Sequence, residues 1–281
     1  MPMSFAEAIP VDLFQSGQFR WRLLTRAIPE SSWLQVDDQR EVYRAEKAAL
    51  LATRLDDCVV HVTGSEAAAQ EVLRLVQADL SHRGIDTEVD GSLHPIDAAG
   101  RLVQEDLVVM ERQPRGWVLT SASVCFPTRW DLPSKLDRTM DEIHEPVPQY
   151  GEMIGTVVNR FFDRLQPGRL VWRPNWSLVA DPGLRLDLPQ RRNEMVFPND
   201  PGNDLWLRAE RQSVRRLVDY PDAACFAVRV HRWPLVEILD DLLGSAFADE
   251  LAAIPIDVAD YKNIESIRQQ LGRWIETSRG S

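Results

Sequence analysis

The chain changes from a helical hydrophobic period to a period of two and back again. From Asp37 to Leu80, apolar residues recur three and four positions apart, which predicts helices with one buried face. Ser65 precedes the second of these stretches, where its side chain can cap a helix. Alternation then starts at Leu107 and runs to Phe126, interrupted by turn residues from Gln113 to Gly116. We therefore expect helices first and a β-hairpin after them.

Three more segments downstream have the pattern of strands. They span residues 170–178, 204–213 and 223–232. Between them and the hairpin, DLPSKLDRTMDEIHEPVPQY (131–150) predicts a short helix that stops before Pro146, and NRFFDRL (159–165) predicts a second helix. The chain from Pro234 onwards is again helical in pattern.

This order of elements predicts an α+β fold built on an antiparallel sheet. We expect helices on one side of the sheet, with additional N- and C-terminal helices, and the chain order is that of a PAS-like fold. One compact unit would contain a mainly helical region (1–100), a PAS-like core (101–233) and C-terminal helices (234–281).

Composition narrows the function classes. The chain of 281 residues has 43 acidic and 32 basic residues, a net charge of -11 that repels nucleic-acid phosphates and anionic lipid. Its apolar runs are shorter than the roughly 18 residues of a membrane span, and MPMSFAEAIPVDLF lacks the basic start of a secretory signal. The three cysteines form no CxxC pair. We expect a soluble cytoplasmic protein that binds neither nucleic acid nor membrane.

His144 is the candidate metal ligand. The five histidines form no HExxH or HxH pattern, so the spacing predicts no zinc site. One histidine is enough for haem, because the porphyrin supplies the four equatorial nitrogens. His144 ends a predicted helix and is followed by Pro146 and Pro148, which pin the backbone. It could equally be a core or surface histidine before a turn, and His231 at a strand end is the second candidate ligand.

Polar residues alternate along the predicted strand at 204–213. Trp206, Arg208, Glu210 and Gln212 should face one side, and Leu205, Leu207, Ala209 and Arg211 the other. The polar side is either a solvent-facing edge, on which Arg208 pairs with Glu210, or the lining of a polar pocket.

The hairpin offers a second set of candidates. Alternation would put Trp117, Leu119, Ser121, Ser123 and Cys125 on one face, where the small serines leave room for a planar group or simply pack. Arg129 could pair with a haem propionate or with Asp131. Cys125 could be a thiolate ligand, but its apolar neighbours indicate a buried structural thiol.

Several long motifs resemble one known family. They are SASVCFPTRWDLPSKLDRTMDEIHEPVPQY (121–150), NRFFDRL, VWRPNWSL (171–178) and LRAERQSVRRL (207–217), preceded by WLQVDD (33–38), GSEAAAQEVL (64–73) and LVQEDLVVMER (102–112). In sequence and order these resemble the haem-dependent oxidative N-demethylases, across most of the chain.

The resemblance implies a PAS-type subunit that binds haem b, with the iron ligand on the helix before the last three strands, hence His144. Ser123, Arg129 and Tyr150 would be further haem contacts. Arg208, Glu210, Gln212 and Arg215 would form the catalytic side, where dioxygen and the amine bind. The family oxidises small methylated amines such as dimethylamine, using O₂ and NADPH electrons relayed by partner subunits that carry FMN and an iron–sulfur cluster.

Two features leave the function open. The chain has no CxxC cluster and no GxGxxG motif, so the electrons of an oxygenase would come from another protein. The polar insert at 187–204 and the basic residues around His231 depart from the family pattern and leave dimethylamine itself open. The alternatives are a haem-binding PAS-type sensor or binding subunit without turnover, and a scaffold that has lost its cofactor. Whether a folate-binding partner takes up the formaldehyde is also open.

Overall fold

One open antiparallel sheet organises the protein. The computed structural model describes residues 3–9, 13–14, 23, 25–189, 194–239 and 241–278. Within these ranges seven strands pair in the order β1-β5-β6-β7-β3-β4-β2. The strands are β1 Arg26–Ala27, β2 Val59–His61, β3 Asp106–Gln113, β4 Gly116–Ser123, β5 Leu170–Val179, β6 Trp206–Arg216 and β7 Ala223–Pro234.

Helices precede, interrupt and follow the strands. They are α1 Phe5–Ala8, α2 Arg40–Thr53, α3 Leu55–Cys58, α4 Glu66–His82, α5 Pro95–Leu102, α6 Met140–His144, α7 Thr156–Arg164, α8 Pro201–Asp204, α9 Leu235–Ile238, α10 Asp241–Ala253, α11 Ile256–Tyr261 and α12 Arg268–Ser278. A π-helical segment, Tyr150–Gly155, leads into α7. The predicted α+β class and antiparallel sheet are confirmed. No described helix is long and apolar enough to cross a bilayer.

The cross-strand register defines the two faces of the sheet, because paired residues of antiparallel neighbours point to the same side. One row across β5, β6, β7 and β3, on what we call the front face, consists of Val171, Val214, Phe226 and Val108. The adjacent row, on the back face, consists of Leu170, Arg215, Cys225 and Val109. Side chains of α6 and α7 pack on the front face through Met140, Ile143, Val158 and Phe162.

The terminal helices cover the back face. Helices α4 and α5 pack on its β3 and β7 part around Val109 and Cys225. Helices α10 to α12 pack on its β5 and β6 part around Trp176 and Leu207. Helices therefore cover the central strands on both faces. The contacts of each side chain depend on the face that it occupies.

A β-bulge in the β3–β4 hairpin corrects one prediction from the sequence. Val109 pairs with Ser121, but Met110 pairs with Leu119, so Thr120 is the extra residue. Because Val109 and Met110 point to opposite faces, Leu119 lies on the front face and Ser121 on the back face. Strict alternation had placed both on one face, and that prediction is wrong.

Candidate functional site

Helix α6 is a single turn whose start is tightly capped. The Thr139 hydroxyl accepts a hydrogen bond from the backbone N–H of Glu142 (3.3 Å), and the Glu142 carboxylate accepts one from the N–H of Thr139 (2.7 Å). Met140 and Ile143 anchor the turn on the front face. The helix ends at His144, two residues before Pro146, as predicted. Capping at one end and proline at the other fix where the His144 ring is presented.

The His144 ring is held in place by a hydrogen bond and by a stacked ring. Its Nδ1 lies 2.9 Å from the carbonyl oxygen of Met140, and a carbonyl only accepts, so Nδ1 carries the proton. The ring stacks on Tyr150 with centroids 4.6 Å apart and planes 10° from parallel. Burial lowers the pKa of His144, although the hydrogen bond to Met140 opposes the shift. A neutral ring with Nδ1–H engaged leaves a lone pair on Nε2, as in most histidines that bind metals.

Glu210 on β6 is the centre of the polar group on the front face. It accepts hydrogen bonds from the Thr128 hydroxyl (2.6 Å), from Asn175 Nδ2 (3.2 Å) and from Gln212 Nε2 (2.8 Å). Burial alone would raise its pKa, but the charge of Arg208 and these hydrogen bonds outweigh burial and hold the pKa below its ordinary value. Glu210 is therefore an ionised carboxylate withdrawn from bulk water.

Arg208 has a supporting position beside Glu210. It is 1% exposed, and its guanidinium donates to the Thr128 hydroxyl (2.7 Å) and to the carbonyl oxygens of Phe126 (2.7 Å) and Gly183 (3.2 Å). All three of its nitrogens are thus engaged by protein atoms. It clamps the segment after β4 onto β6 and orients Thr128 towards Glu210, so it acts through Thr128 more than on a ligand.

Two front-face residues of β5 join this group without having been predicted. Arg173 pairs with Gln212, and Asn175 pairs with Glu210, so both point to the same side as the polar residues of β6. The signal was present in VWRPNWSL, where Arg173 and Asn175 alternate with two tryptophans. Burial lowers the pKa of Arg173, although the charges of Glu210 and Tyr150 partly oppose the shift.

Ser123 and Arg215, both predicted as site residues, lie on the back face. The Ser123 hydroxyl sits under α5, where a Cβ added at Gly100 would come within 2.1 Å of its oxygen. Arg215 lies over the Trp33 ring (5.1 Å) and pairs with Glu30 (2.7 Å). Neither residue shares a face with His144, Glu210 and Gln212. Arg215 lies on the back face because it alternates with Glu210 and Gln212 along β6. Ser123 lies there because the bulge shifts the alternation of β4 by one residue.

The remaining candidates occupy other surroundings. Arg129 has a left-handed backbone (φ 53°), and its N–H donates to the Leu186 carbonyl (2.7 Å), so it turns the chain after β4. His231, the second candidate ligand, is a buried back-face residue whose Nε2 lies 2.8 Å from the Gln35 side-chain oxygen. Cys125 is buried, and its thiol is hydrogen-bonded to that of Cys58.

The site therefore combines a neutral, oriented histidine on α6 with an ionised carboxylate and donor side chains on β5 and β6, all on the front face. Residues 79–272 match the model of the family described as haem-dependent oxidative N-demethylase, alpha subunit-like. The match covers more than half of the chain, and the chain belongs to this family. The description alpha subunit-like implies an enzyme of several subunits.

Proposed function

We propose that this chain is the haem-binding subunit of an oxidoreductase that removes a methyl group from a small N-methylated amine, with His144 as the ligand of the iron. The observation that carries the proposal is the His144 ring, neutral and half-buried over the front face, with Nδ1–H held by the Met140 carbonyl. His82 makes the same bond to Ala78 (2.6 Å) but is exposed, so burial and the stacking on Tyr150 are what distinguish His144.

The residues around His144 fit a haem. A single histidine with a free Nε2 is the donor set that haem requires. The front face next to α6 is apolar, with Leu119 and Val214 buried and Phe226 half-buried in one cluster with Met140 and Ile143. Two polar donors there, the Tyr150 hydroxyl and Arg173 Nε, have no hydrogen-bond partner among the residues that the structure describes. We include Tyr150 among the haem contacts. When bound, haem b would supply an iron that binds and activates O₂ and accepts electrons one at a time.

Glu210 is the residue we propose for holding the amine. Small methylated amines are protonated at neutral pH, and an ionised carboxylate with little access to water binds such a cation by a charge-assisted hydrogen bond. Gln212 and Asn175 each donate to Glu210 and so fix the direction of its oxygens. Gln212 has a second amide N–H that could donate to a ligand on the same face.

The electrons for this reaction would come from a partner. We propose partner subunits with FMN and an iron–sulfur cluster. The alpha subunit-like family description supports the presence of partner subunits. Dimethylamine is the simplest substrate of the proposed class.

Haem uptake by purified protein tests the ligand. Apoprotein titrated with haemin should develop a Soret band that is lost in His144→Ala and kept in His82→Ala and His231→Ala. His82→Ala is the matched control, because it removes the same hydrogen bond from an exposed helix end. A wild-type protein that takes up no haemin, or a His144→Ala variant that binds it normally, would contradict the proposal.

A turnover assay distinguishes an enzyme from a subunit that only binds haem. The haem-loaded protein, supplied with O₂ and an electron donor, should release formaldehyde in proportion to the N-methylated amine added. Normal haem binding without formaldehyde across a panel of methylated amines would favour the sensor or binding subunit instead.

A further inference from the structure

Arg173 differs from the other arginines of the central strands. Arg208, Arg211, Arg215, Arg216 and Arg229 each donate to a protein oxygen or pair with a carboxylate. In the part of the chain that the structure describes, Arg173 makes no hydrogen bond and no ion pair, and its Nε is buried. The side chain as a whole is half-buried, so its guanidinium has unused donors that an anionic ligand could meet.

Glu210 makes no hydrogen bond or ion pair with Arg173. Its charge acts on Arg173 without a hydrogen bond between them, while its two oxygens accept hydrogen bonds from Thr128, Asn175 and Gln212. The Nε of Arg173 is sealed from solvent, whereas its terminal nitrogens keep some accessible surface. A small group could therefore reach the guanidinium without displacing the carboxylate.

A second donor without a partner lies close by. The Tyr150 hydroxyl is buried and makes no hydrogen bond among the described residues. The charge of Arg173 acts on both Tyr150 and His144, and the Tyr150 ring stacks on the His144 ring. A guanidinium and a phenol with free donors beside one histidine are complementary to an anion with two or more oxygens.

We propose that Arg173 and Tyr150 form a carboxylate-binding subsite beside His144. The inference rests on the proposed function and extends it to the ligand's chemistry. The carboxylate can come from a propionate of the haem or from the substrate itself, which would then be an N-methylated amino acid. Arg173 and Glu210 are diagonal neighbours on paired strands, about 7–8 Å apart at the backbone. Their side chains can therefore hold the carboxylate and the ammonium of one small amino acid.

Four variants and four probes test the subsite. Arg173→Gln removes the charge, Arg173→Lys keeps it without the planar fork, and Tyr150→Phe keeps the stacked ring without the hydroxyl. Arg160→Gln, on the exposed side of α7, is the control for loss of one positive charge. Each protein is titrated with haemin, with haemin dimethyl ester, with N-methylglycine and with dimethylamine. The readouts are the Soret band and titration calorimetry, and circular dichroism checks folding.

We expect Arg173→Gln to weaken binding of one carboxylate-bearing probe about 10- to 100-fold, with smaller losses in Arg173→Lys and Tyr150→Phe. A loss for haemin but not for its dimethyl ester assigns the subsite to a propionate. A loss for N-methylglycine but not for dimethylamine assigns it to the substrate.

Equal affinities of wild type, Arg173→Gln and Tyr150→Phe for all four probes would overturn the subsite while leaving haem binding intact. If the wild type takes up no haemin, the proposed function fails, and calorimetry with N-methylglycine on the apoprotein decides the subsite. Binding that depends on Arg173 would then support it, and no binding would overturn it. If Arg173→Gln fails to fold, Tyr150→Phe and Arg173→Lys give the same decision.

Discussion

The back-face arginines of the central strands all contact one neighbouring segment, whereas the front face holds both arginines with protein partners, such as Arg208, and Arg173, which has none among the described residues. On the back face, Arg215 pairs with Glu30 (2.7 Å), Arg229 pairs with Asp37 (3.1 Å), and Arg211 donates to the Trp33 carbonyl (2.9 Å). All of these partners lie in the segment before α2, so the back-face arginines bind that segment to the sheet. On the front face, Arg173 has no such partner among the described residues.

This difference distinguishes charged residues that hold the fold together from charged residues that could bind a ligand, within one sheet. A buried charge that meets a protein partner stabilises a contact between segments, and its loss leaves the partner's charge unpaired. A half-buried charge that lacks a protein partner contributes no such contact, and its donors stay available to a ligand. Burial alone does not tell the two apart, because Arg208 and Arg229 are the most buried of these arginines, each only 1% exposed, and both have protein partners.

The largest expected effect is on the back face. In Arg229→Ala the Asp37 carboxylate loses its partner at a site where the two side chains are 1% and 9% exposed, and the Tyr43 ring loses the guanidinium 3.8 Å from its centre. We expect the free energy of unfolding to fall by about 3–5 kcal/mol, measured by denaturant titration of the apoprotein. Arg173→Gln is the matched comparison and should leave that stability unchanged or slightly raised. Equal losses in the two variants would remove the distinction between the faces.

An intermediate effect is expected at Glu210, in binding rather than stability. Glu210→Gln keeps the shape of the side chain but removes the charge that would hold a protonated amine. We expect the amine affinity of the haem-loaded protein to fall about 10- to 100-fold while haemin affinity stays unchanged. Glu237→Gln, at an exposed position of α9, controls for the loss of one negative charge. Unchanged amine binding in Glu210→Gln would show that the carboxylate serves only to hold Thr128 and Arg208.

The smallest expected effect concerns Lys262, which lies after α11 beside β5. Its Nζ donates to the Trp176 carbonyl (2.7 Å) and lies 4.2 Å from the centre of the Trp176 ring. Burial lowers the pKa of Lys262 to about 8, from an ordinary value of 10.5. Between these two pH values the unfolded chain binds more protons than the folded one, so stability should rise with pH across the window.

Lys262→Met isolates this contribution. The wild type should gain about 1 kcal/mol relative to Lys262→Met between pH 8 and pH 10.5, after allowance for solvent screening. The measurement is denaturant unfolding of both proteins at several pH values in that range. Parallel pH profiles of the two proteins would show that Lys262 keeps its ordinary pKa.

Much of the fold followed from local patterns. The three strands after the helical insert were predicted within three residues at each end, because alternation and flanking turn residues are local signals. The end of α6 at His144 was predicted because Pro146 cannot continue a helix. The short strands β1 and β2 were missed, since two or three residues carry no period of their own and are strands only through their partners.

The faces that the candidate residues occupy were predicted in part. Alternation along β6 correctly put Arg208, Glu210 and Gln212 on one side, because that strand is regular over its whole length. It failed for Ser123, where a bulge shifts the parity by one residue. The sequence did not predict that Arg173 and Tyr150 are neighbours. They lie on different elements, and their proximity depends on how the helical insert packs against the sheet.

The sequence by itself determined the order of the elements, the short capped helix that ends at His144, and the polar side of β6, since each depends on neighbours along the chain. Tertiary structure decided which polar residues face His144, which arginines have partners, and that His231 is a hydrogen-bonded core residue. These outcomes depend on register, on the bulge and on which segment covers each face. Such contacts join residues far apart in the sequence, 196 positions in the case of His231 and Gln35, and no local pattern encodes them.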